Sequence, residues 1–287
     1  MLILGAHLAK DKNYLNTVQK ADEYNINAIS IFISSPHSGS ITKLSDEDTK
    51  AVNEWIAENN ITLVIHGKYI INFANPKAFN YHIPSEEMKQ GMKLDCLGVV
   101  YHIGKAGKLS VPEAEENMRI NVMKAIDKTF TRKSDFKMII ETSAGEGTAI
   151  LTTIEDLGRW FSTLPEKYKK HIKFCIDTCH IFSAGYDIRK AKGMKDFLTK
   201  WNKLIGRKLI SCIHLNDSAV PLGSRKDRHE SFSAGYITNR ALGGSKTGIK
   251  YLLRYAKKYS IPLILERNSK AKLKLEDEIQ LLNSYLN

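Results

Sequence analysis

The sequence predicts an α/β fold, a single-domain (β/α)8 TIM barrel filling residues 1–287. Three observations predict it. Short apolar runs recur along the chain, and an amphipathic helical pattern separates most of them. Eight such runs can be counted. Six of the runs close on a histidine or a carboxylate, so the chemistry repeats in step with the structure. A length of 287 residues is ordinary for one such barrel, and 43% hydrophobic residues supply its core.

Strands are expected at Leu2–Ala6, Ala28–Ile33, Thr62–Ile65, Gly98–Tyr101, Lys137–Ile140, Lys173–Ile176, Leu209–Ile213 and Pro262–Leu265. Most are continuously apolar rather than alternating, as parallel strands covered on both faces must be. Helical stripes lie between them. Ala51, Val52, Trp55 and Ile56 follow a Ser45 cap, and Met118, Val122, Ala125 and Ile126 follow the capping box Ser110-x-x-Glu113. Leu157, Trp160, Phe161 and Leu164 follow Thr153, and Phe197, Trp201, Leu204 and Ile205 run to Gly206. Leu252, Leu253 and Ala256 precede the last strand, and Leu275, Ile279 and Leu282 follow it. No linker or low-complexity tract divides the chain.

Composition narrows the function. No apolar run approaches the roughly 20 residues of a membrane span, and Met1-Leu2-Ile3-Leu4 lacks the basic flank of a signal peptide. No glycine-rich phosphate loop follows a strand, so no nucleotide cofactor is expected. Cys96, Cys175, Cys179 and Cys212 form no C-x-x-C pair and read as reduced core residues. An intracellular reducing compartment is therefore expected: cytoplasm, nucleus or, for a viral protein, the virion. A net charge of +12 favours a polyanionic partner.

The candidate site is a ring. His66, His102, Glu141, Asp177, His214 and Glu266 close strands three to eight, and the first five are spaced 36, 39, 36 and 37 residues apart. Each step is one strand-helix unit of roughly 30 or more residues. In a closed barrel all six point to the mouth where active sites sit. His180 and the pair Asp227-x-His229 are expected on the loops after strands six and seven, facing the same mouth. Five histidines and four carboxylates exceed what one ion takes, since zinc holds about four ligands. Two or three ions are implied, and nitrogen-plus-oxygen ligation suits zinc or manganese. His7 faces the ring or the substrate, while His37, His82 and His171 fall out of phase with it.

The stretch Cys175-Ile176-Asp177-Thr178-Cys179-His180-Ile181-Phe182-Ser183-Ala184-Gly185-Tyr186-Asp187 resembles the signature of the endonuclease IV family of apurinic/apyrimidinic endonucleases. So do His66-Gly67-Lys68-Tyr69-Ile70-Ile71-Asn72, Glu141-Thr142-Ser143-Ala144-Gly145-Glu146-Gly147, His214-Leu215-Asn216-Asp217-Ser218, Gly223-Ser224-Arg225-Lys226-Asp227-Arg228-His229 and Ile264-Leu265-Glu266. These matches occur in family order and cover nearly the whole chain.

The resemblance implies three zinc ions, with His66, His102 and Glu141 on the first. Glu141 bridges to a second that also takes Asp177, His214 and Glu266, and His180, Asp227 and His229 hold the third. It implies zinc-dependent hydrolysis of double-stranded DNA 5′ to abasic sites by a monomer, giving a 3′-hydroxyl and a 5′-deoxyribose phosphate, with trimming of blocked 3′ ends. Glu141 is the expected catalytic residue. Tyr69 and Ile70 resemble residues that insert at the lesion, and Arg225 and Arg228 are placed to hold phosphates.

Some positions depart from the family. Leu8-Ala9-Lys10-Asp11 replaces a Ser and a Gly-Gly turn, His37 stands where an Arg commonly enters the duplex, and Arg267 replaces a Thr. These suggest a divergent branch, and a Lys-, Asn- and Ile-rich composition suits an AT-rich genome such as that of a large DNA virus. Two other readings remain open: a metal-dependent sugar isomerase or epimerase on the same barrel, and a zinc-stabilised DNA-binding module without catalysis.

Overall fold

The computed structural model describes residues 1–130, 134–267 and 271–286. In chain order the elements are β1 (Leu4–His7), α1 (Tyr14–Glu23), β2 (Ala28–Ile31), α2 (Asp46–Glu58), β3 (Thr62–His66), α3 (Phe79–Gly91), β4 (Gly98–Tyr101), α4 (Val111–Thr129) and β5 (Lys137–Glu141). There follow α5 (Ile154–Ser162), α6 (Glu166–Lys169), β6 (Ile172–Asp177), α7 (Thr178–Ser183), α8 (Ala191–Leu204), β7 (Ile210–His214), β8 (Asp217–Ser218), β9 (His229–Glu230), α9 (Thr247–Tyr259), β10 (Leu263–Leu265) and α10 (Leu275–Ser284). Eight parallel strands close into a barrel in the order β1-β10-β7-β6-β5-β4-β3-β2. The pair β8-β9 is a separate antiparallel ribbon. No helix among the described residues is long and apolar enough to cross a membrane.

Side chains alternate along a strand, so each barrel strand has an outward and an inward set. Leu63, Ile65, Val99, Met138, Ile140, Phe174, Ile176 and Ile213 belong to the large core shared with the helices. Val64, Val100, Ile139, Cys175 and Cys212 form a second cluster of their own. Each member of that second cluster stands two residues before His66, His102, Glu141, Asp177 or His214. Period two therefore makes it an apolar floor directly beneath those five groups.

The predicted caps are present. Ser45 accepts from Asp48 N–H and Thr153 from Asp156 N–H, and Ser110 and Glu113 form a reciprocal capping box. Strand ends differ by one or two residues from the sequence reading. Leu2 and Ile3 precede β1, and β2 stops at Ile31 although Ile33 is buried. The Ile33 carbonyl accepts the Tyr14 hydroxyl at 2.6 Å instead of continuing the ladder.

Two helices carry no obvious apolar stripe in the sequence. α1 buries Tyr14, Thr17, Val18 and Ala21, and α3 buries Asn80, Pro84, Ser85, Glu87, Met88 and Gly91. The polar face of α3 is partly satisfied from neighbouring elements. Asn80 Oδ1 accepts Asn72 N–H at 3.0 Å, and Glu87 Oε2 accepts the Tyr101 hydroxyl at 3.0 Å.

Burial pushes the Glu87 carboxyl from 4.5 up to about 7. The folded state therefore holds this proton more tightly than the unfolded chain, and stability falls as pH rises through that window. Between pH 4 and 8 the protein is expected to lose about 3 kcal/mol relative to its Glu87→Gln variant, as read from urea unfolding of both. Parallel pH profiles would contradict this.

Candidate metal centre

β3, β5, β6 and β7 end on His66, Glu141, Asp177 and His214, which are at most 1% exposed. His102 and Glu266 each follow their strand by one residue and are partly open to solvent. His180 lies in helix α7 rather than on a loop. The side chain of Asp177 caps that helix, its Oδ1 accepting His180 N–H at 2.8 Å. A cap reaches the third residue of the helix it opens, so the spacing Asp-x-x-His turns the imidazole back over the barrel mouth. His229 lies in the β8-β9 ribbon, where it pairs with Ser218, and not on an irregular loop.

Three histidines are aimed by the backbone. Nδ1 of His66 lies 2.8 Å from Gly67 O, Nδ1 of His180 2.7 Å from Thr142 O, and Nδ1 of His229 3.0 Å from Glu266 O. A carbonyl at Nδ1 fixes the tautomer and leaves Nε2 as the ligating atom. His180 Nε2 then sits 3.0 Å from Asp227 Oδ2, and His229 Nε2 3.0 Å from Asp227 Oδ1. His214 is turned the other way, with Nδ1 at 2.9 Å from Glu141 Oε1 and 3.1 Å from Glu266 Oε2. His102 Nε2 lies 3.1 Å from Glu141 Oε2.

Groups with their ligand atoms within 4.8 Å of one another include His66, Glu141 and His214; Glu141, Asp177, His214 and Glu266; and His180, Asp227 and His229; two more bring in cysteines, Cys175 and Cys212 with His214, and Cys179 with Asp177 and His229. Glu141 joins the first two. His102 attaches through Glu141 rather than closing on His66.

The donor set fits divalent ions. His66 Nε2 is buried, has no hydrogen-bond partner, and faces Glu266 Oε1 at 3.5 Å and Glu141 Oε2 at 3.8 Å. Those separations are too long for hydrogen bonds and close to the roughly 3.3 Å between two ligands of one tetrahedral ion.

Charge is balanced inside the ring. Burial alone would raise the Glu141 carboxyl, but His214 and His102 outweigh it and hold it well below the ordinary carboxylate range. Burial would likewise lower His214, yet Glu266 and Glu141 lift it well above the usual imidazole value. His66, equally buried but with its nearest carboxylate oxygens at 3.5 and 3.8 Å, is pulled down to about 4 by burial. Cations bound here would displace protons from imidazoles already surrounded by carboxylates.

The ring opens into a cleft of about 990 Å³ lined in part by His7, Tyr69, Ile70, Lys105, Arg228, Arg267 and Lys272. The Tyr69 ring lies 5.2 Å from that of His66, 5.5 Å from His102 and 5.6 Å from His37, and its residue is 46% exposed. Ile70 follows it at the rim, half-buried, and His37 is exposed. His7 places Nδ1 3.2 Å from Ser30 Oγ, with its ring 5.9 Å from that of His66. His82 lies against Tyr81 and His171 stacks on Phe130, both outside the ligand groups.

Three of the rim cations are already paired. Arg228 reaches Glu146 Oε1 at 3.2 Å, Arg267 reaches Glu278 Oε2 at 3.1 Å, and Lys272 reaches Glu230 Oε2 at 3.1 Å. Arg225 is exposed in a left-handed turn with φ 53°. Lys105, unmarked by any sequence motif, is exposed at the mouth. Its N–H donates to Asn72 Oδ1 and its carbonyl accepts Asn72 Nδ2, both at 2.8 Å.

Fold and site together define a TIM-barrel protein with several candidate metal-ligand groups at the carboxyl ends of its strands. The family model described as Xylose isomerase-like TIM barrel matches residues 18–283. A "Probable endonuclease 4" of Aster yellows witches'-broom phytoplasma is 32% identical, covering 93% of this chain and 90% of its own. A "Putative endonuclease 4" of Acanthamoeba polyphaga mimivirus is 30% identical, covering 92% and 84%. The chain belongs to the endonuclease 4 family within the xylose isomerase-like barrels. Endonuclease IV from Thermus thermophilus superposes with a TM-score of 0.83 at 23% identity, over 99% of this chain and 98% of that one. A D-tagatose 3-epimerase-like protein shares the fold with a TM-score of 0.69 at 19% identity, over 100% and 97%.

Stripping divalent metal with a chelator is expected to lower Tm by several degrees, because the buried carboxylates of Glu141, Asp177 and Glu266 then lose their counter-charge. A melting curve unmoved by chelation and by metal return would contradict the site.

Proposed function

We propose that this protein is a zinc-dependent DNA-repair nuclease that hydrolyses the phosphodiester backbone 5′ to abasic sites in double-stranded DNA. The products are a 3′-hydroxyl and a 5′-deoxyribose phosphate, and blocked 3′ ends are trimmed by the same chemistry. The observation that carries the reading is the pair of ligand groups joined by Glu141, with the group of His180, Asp227 and His229 beside them, in a chain of the endonuclease 4 family. One domain, acting as a monomer, holds the whole site.

In the family's allocation His66, His102 and Glu141 would hold one ion, Glu141, Asp177, His214 and Glu266 a second, and His180, Asp227 and His229 a third. Bound there, zinc neutralises the phosphate, lowers the pKa of an attacking water and stabilises the departing oxygen. The protein supplies the rest. Glu141 is the shared carboxylate. Carbonyl-anchored imidazoles keep three ligands from rotating away, and the apolar floor excludes water from below.

Specificity comes from the rim. Tyr69, Ile70 and His37 stand above the first ligand pair and meet the helix at the lesion. A nucleotide without a base costs least to unstack, normally a few kcal/mol. Lys105 and Arg225 grip flanking phosphates. Arg228, tied to Glu146, chiefly steadies the Asp227 loop, whose N–H also reaches Glu146 at 3.4 Å.

A defined abasic duplex is expected to be cut once, 5′ to the lesion, and freshly purified protein to carry three zinc ions. Zinc-loaded enzyme that leaves the strand whole would refute the nuclease. One or two ions with sugar isomerisation would favour the epimerase chemistry of fold neighbours. Glu141→Gln is expected to lower both zinc content and incision, the latter on the order of 10³-fold. Lys105→Ala is expected to reduce the slope of log binding constant against log salt by about one; an unchanged slope would remove Lys105 from the phosphate contacts.

A further inference from the structure

Lys68 is a lysine only 3% exposed, placed between the ligand His66 and the rim residue Tyr69. Lysine is almost never buried without a reason. Here its ammonium donates to the Ser35 carbonyl at 2.7 Å, on the loop that carries His37. Its backbone N–H points the other way, to Glu87 Oε2 of α3 at 3.4 Å. The next residue repeats the link, Tyr69 N–H donating to Pro36 O at 3.1 Å. Gly67, one residue earlier, lies so close to Tyr101 that a Cβ there would fall 2.3 Å from the ring. The Tyr101 hydroxyl in turn bonds to Glu87.

The loop after β3 is thus clamped on α3 and β4 from behind, and it clamps the loop after β2 in front. Burying a cation and a carboxylate in this region costs stability unless both are well compensated. Glu87 Oε1 has no hydrogen-bond partner among the described residues. The arrangement is therefore poor as a stability device and well suited to holding two rim segments in one geometry.

We propose that Lys68 is a positioning residue that locks the His37 loop onto the Tyr69 loop, so that both side chains meet duplex DNA as one preformed wedge. This rests on the nuclease reading. Preorganisation of this kind lowers the ordering cost of binding and leaves the metal chemistry alone. The ligand His66 is anchored separately, through Gly67 O.

The test compares wild type, Lys68→Met, His37→Ala and the double variant. Each is assayed on an abasic duplex and on bis(p-nitrophenyl) phosphate, a diester too small to touch the wedge. Lys68→Met is expected to raise KM for the duplex on the order of tenfold, with kcat on the small diester and zinc content close to wild type. Hydrogen exchange of the amides at 34–39 and 67–72 is expected to rise together. His37→Ala is expected to weaken duplex cutting in the wild-type background and to add little once Lys68 is gone, a non-additive cycle.

Equal KM, unchanged exchange or strictly additive effects would overturn the proposal. Should Lys68→Met fail to fold, Lys68→Arg keeps the charge with altered reach, and the same cycle with His37→Ala decides. Wild-type enzyme that cannot cut the abasic duplex sinks the nuclease reading. Wild-type enzyme that cuts while Lys68→Met matches it sinks only this inference.

Discussion

Closing parallel strands into a ring leaves their carboxyl ends one direction to face. That constraint does more than gather ligands. Because side chains alternate, a strand that offers a ligand at its last residue must offer its third-last to the same interior. Those positions are Val64, Val100, Ile139, Cys175 and Cys212, and all are fully buried. The floor is therefore as much a product of barrel closure as the ring above it. It gives the carboxylate of Glu141 a dry underside, and a dry underside is what makes its charge expensive and its partners strong.

The electrostatics of the molecule divide by depth. The whole chain carries +12, yet Asp227 and Glu266 line the cleft, with Glu141 and Asp177 buried beside them. The positive excess therefore comes from outside the ring of carboxylates. Three of the cations lining the cleft are held by Glu146, Glu230 and Glu278, so they shape loops before they meet any phosphate. The two more exposed pairs, Arg228–Glu146 and Lys272–Glu230, contribute little stability each. The value of all three lies in fixing backbone next to the ligand loop and beside Glu266. Lys105 and Arg225 are exposed side chains on backbone tied to Asn72 and Ser183.

How much of this was legible in the sequence follows from what apolar periodicity can report. It reports burial of apolar groups. The strands, the helices with apolar stripes and the phase of His66, His102, Glu141, Asp177, His214 and Glu266 were all visible for that reason. A buried face made of Asn80, Ser85 and Glu87 reads as surface, so α3 was not apparent, and neither was the short-patterned α1. Lys68 was invisible as a structural residue on the same grounds, since nothing local tells a buried lysine from a solvated one. Arg225 and Arg228 looked equally available to phosphate. Only the fold shows that Arg228 is spent on Glu146, which lies 82 residues away in sequence.

The spacing that first marks the site has a cause earlier than metal. Asp177 ends a strand and begins a helix with no loop between, which requires a capping acceptor at that position. Its Oδ1 provides the cap by taking His180 N–H, while Oδ2 accepts Asn216 Nδ2 at 2.6 Å and faces His229 Nε2 at 3.6 Å. Asn216 in turn accepts Glu266 N–H at 2.8 Å through its Oδ1. One carboxylate thus sets the start of α7, and through the Asn216 bridge ties the ends of β6, β7 and β10 together. Replacing it with a residue that caps but does not ligate, or ligates but does not cap, separates two functions that the fold has merged. The interval of three residues between Asp177 and His180 is a property of helix geometry, and the ring of ligands inherits it.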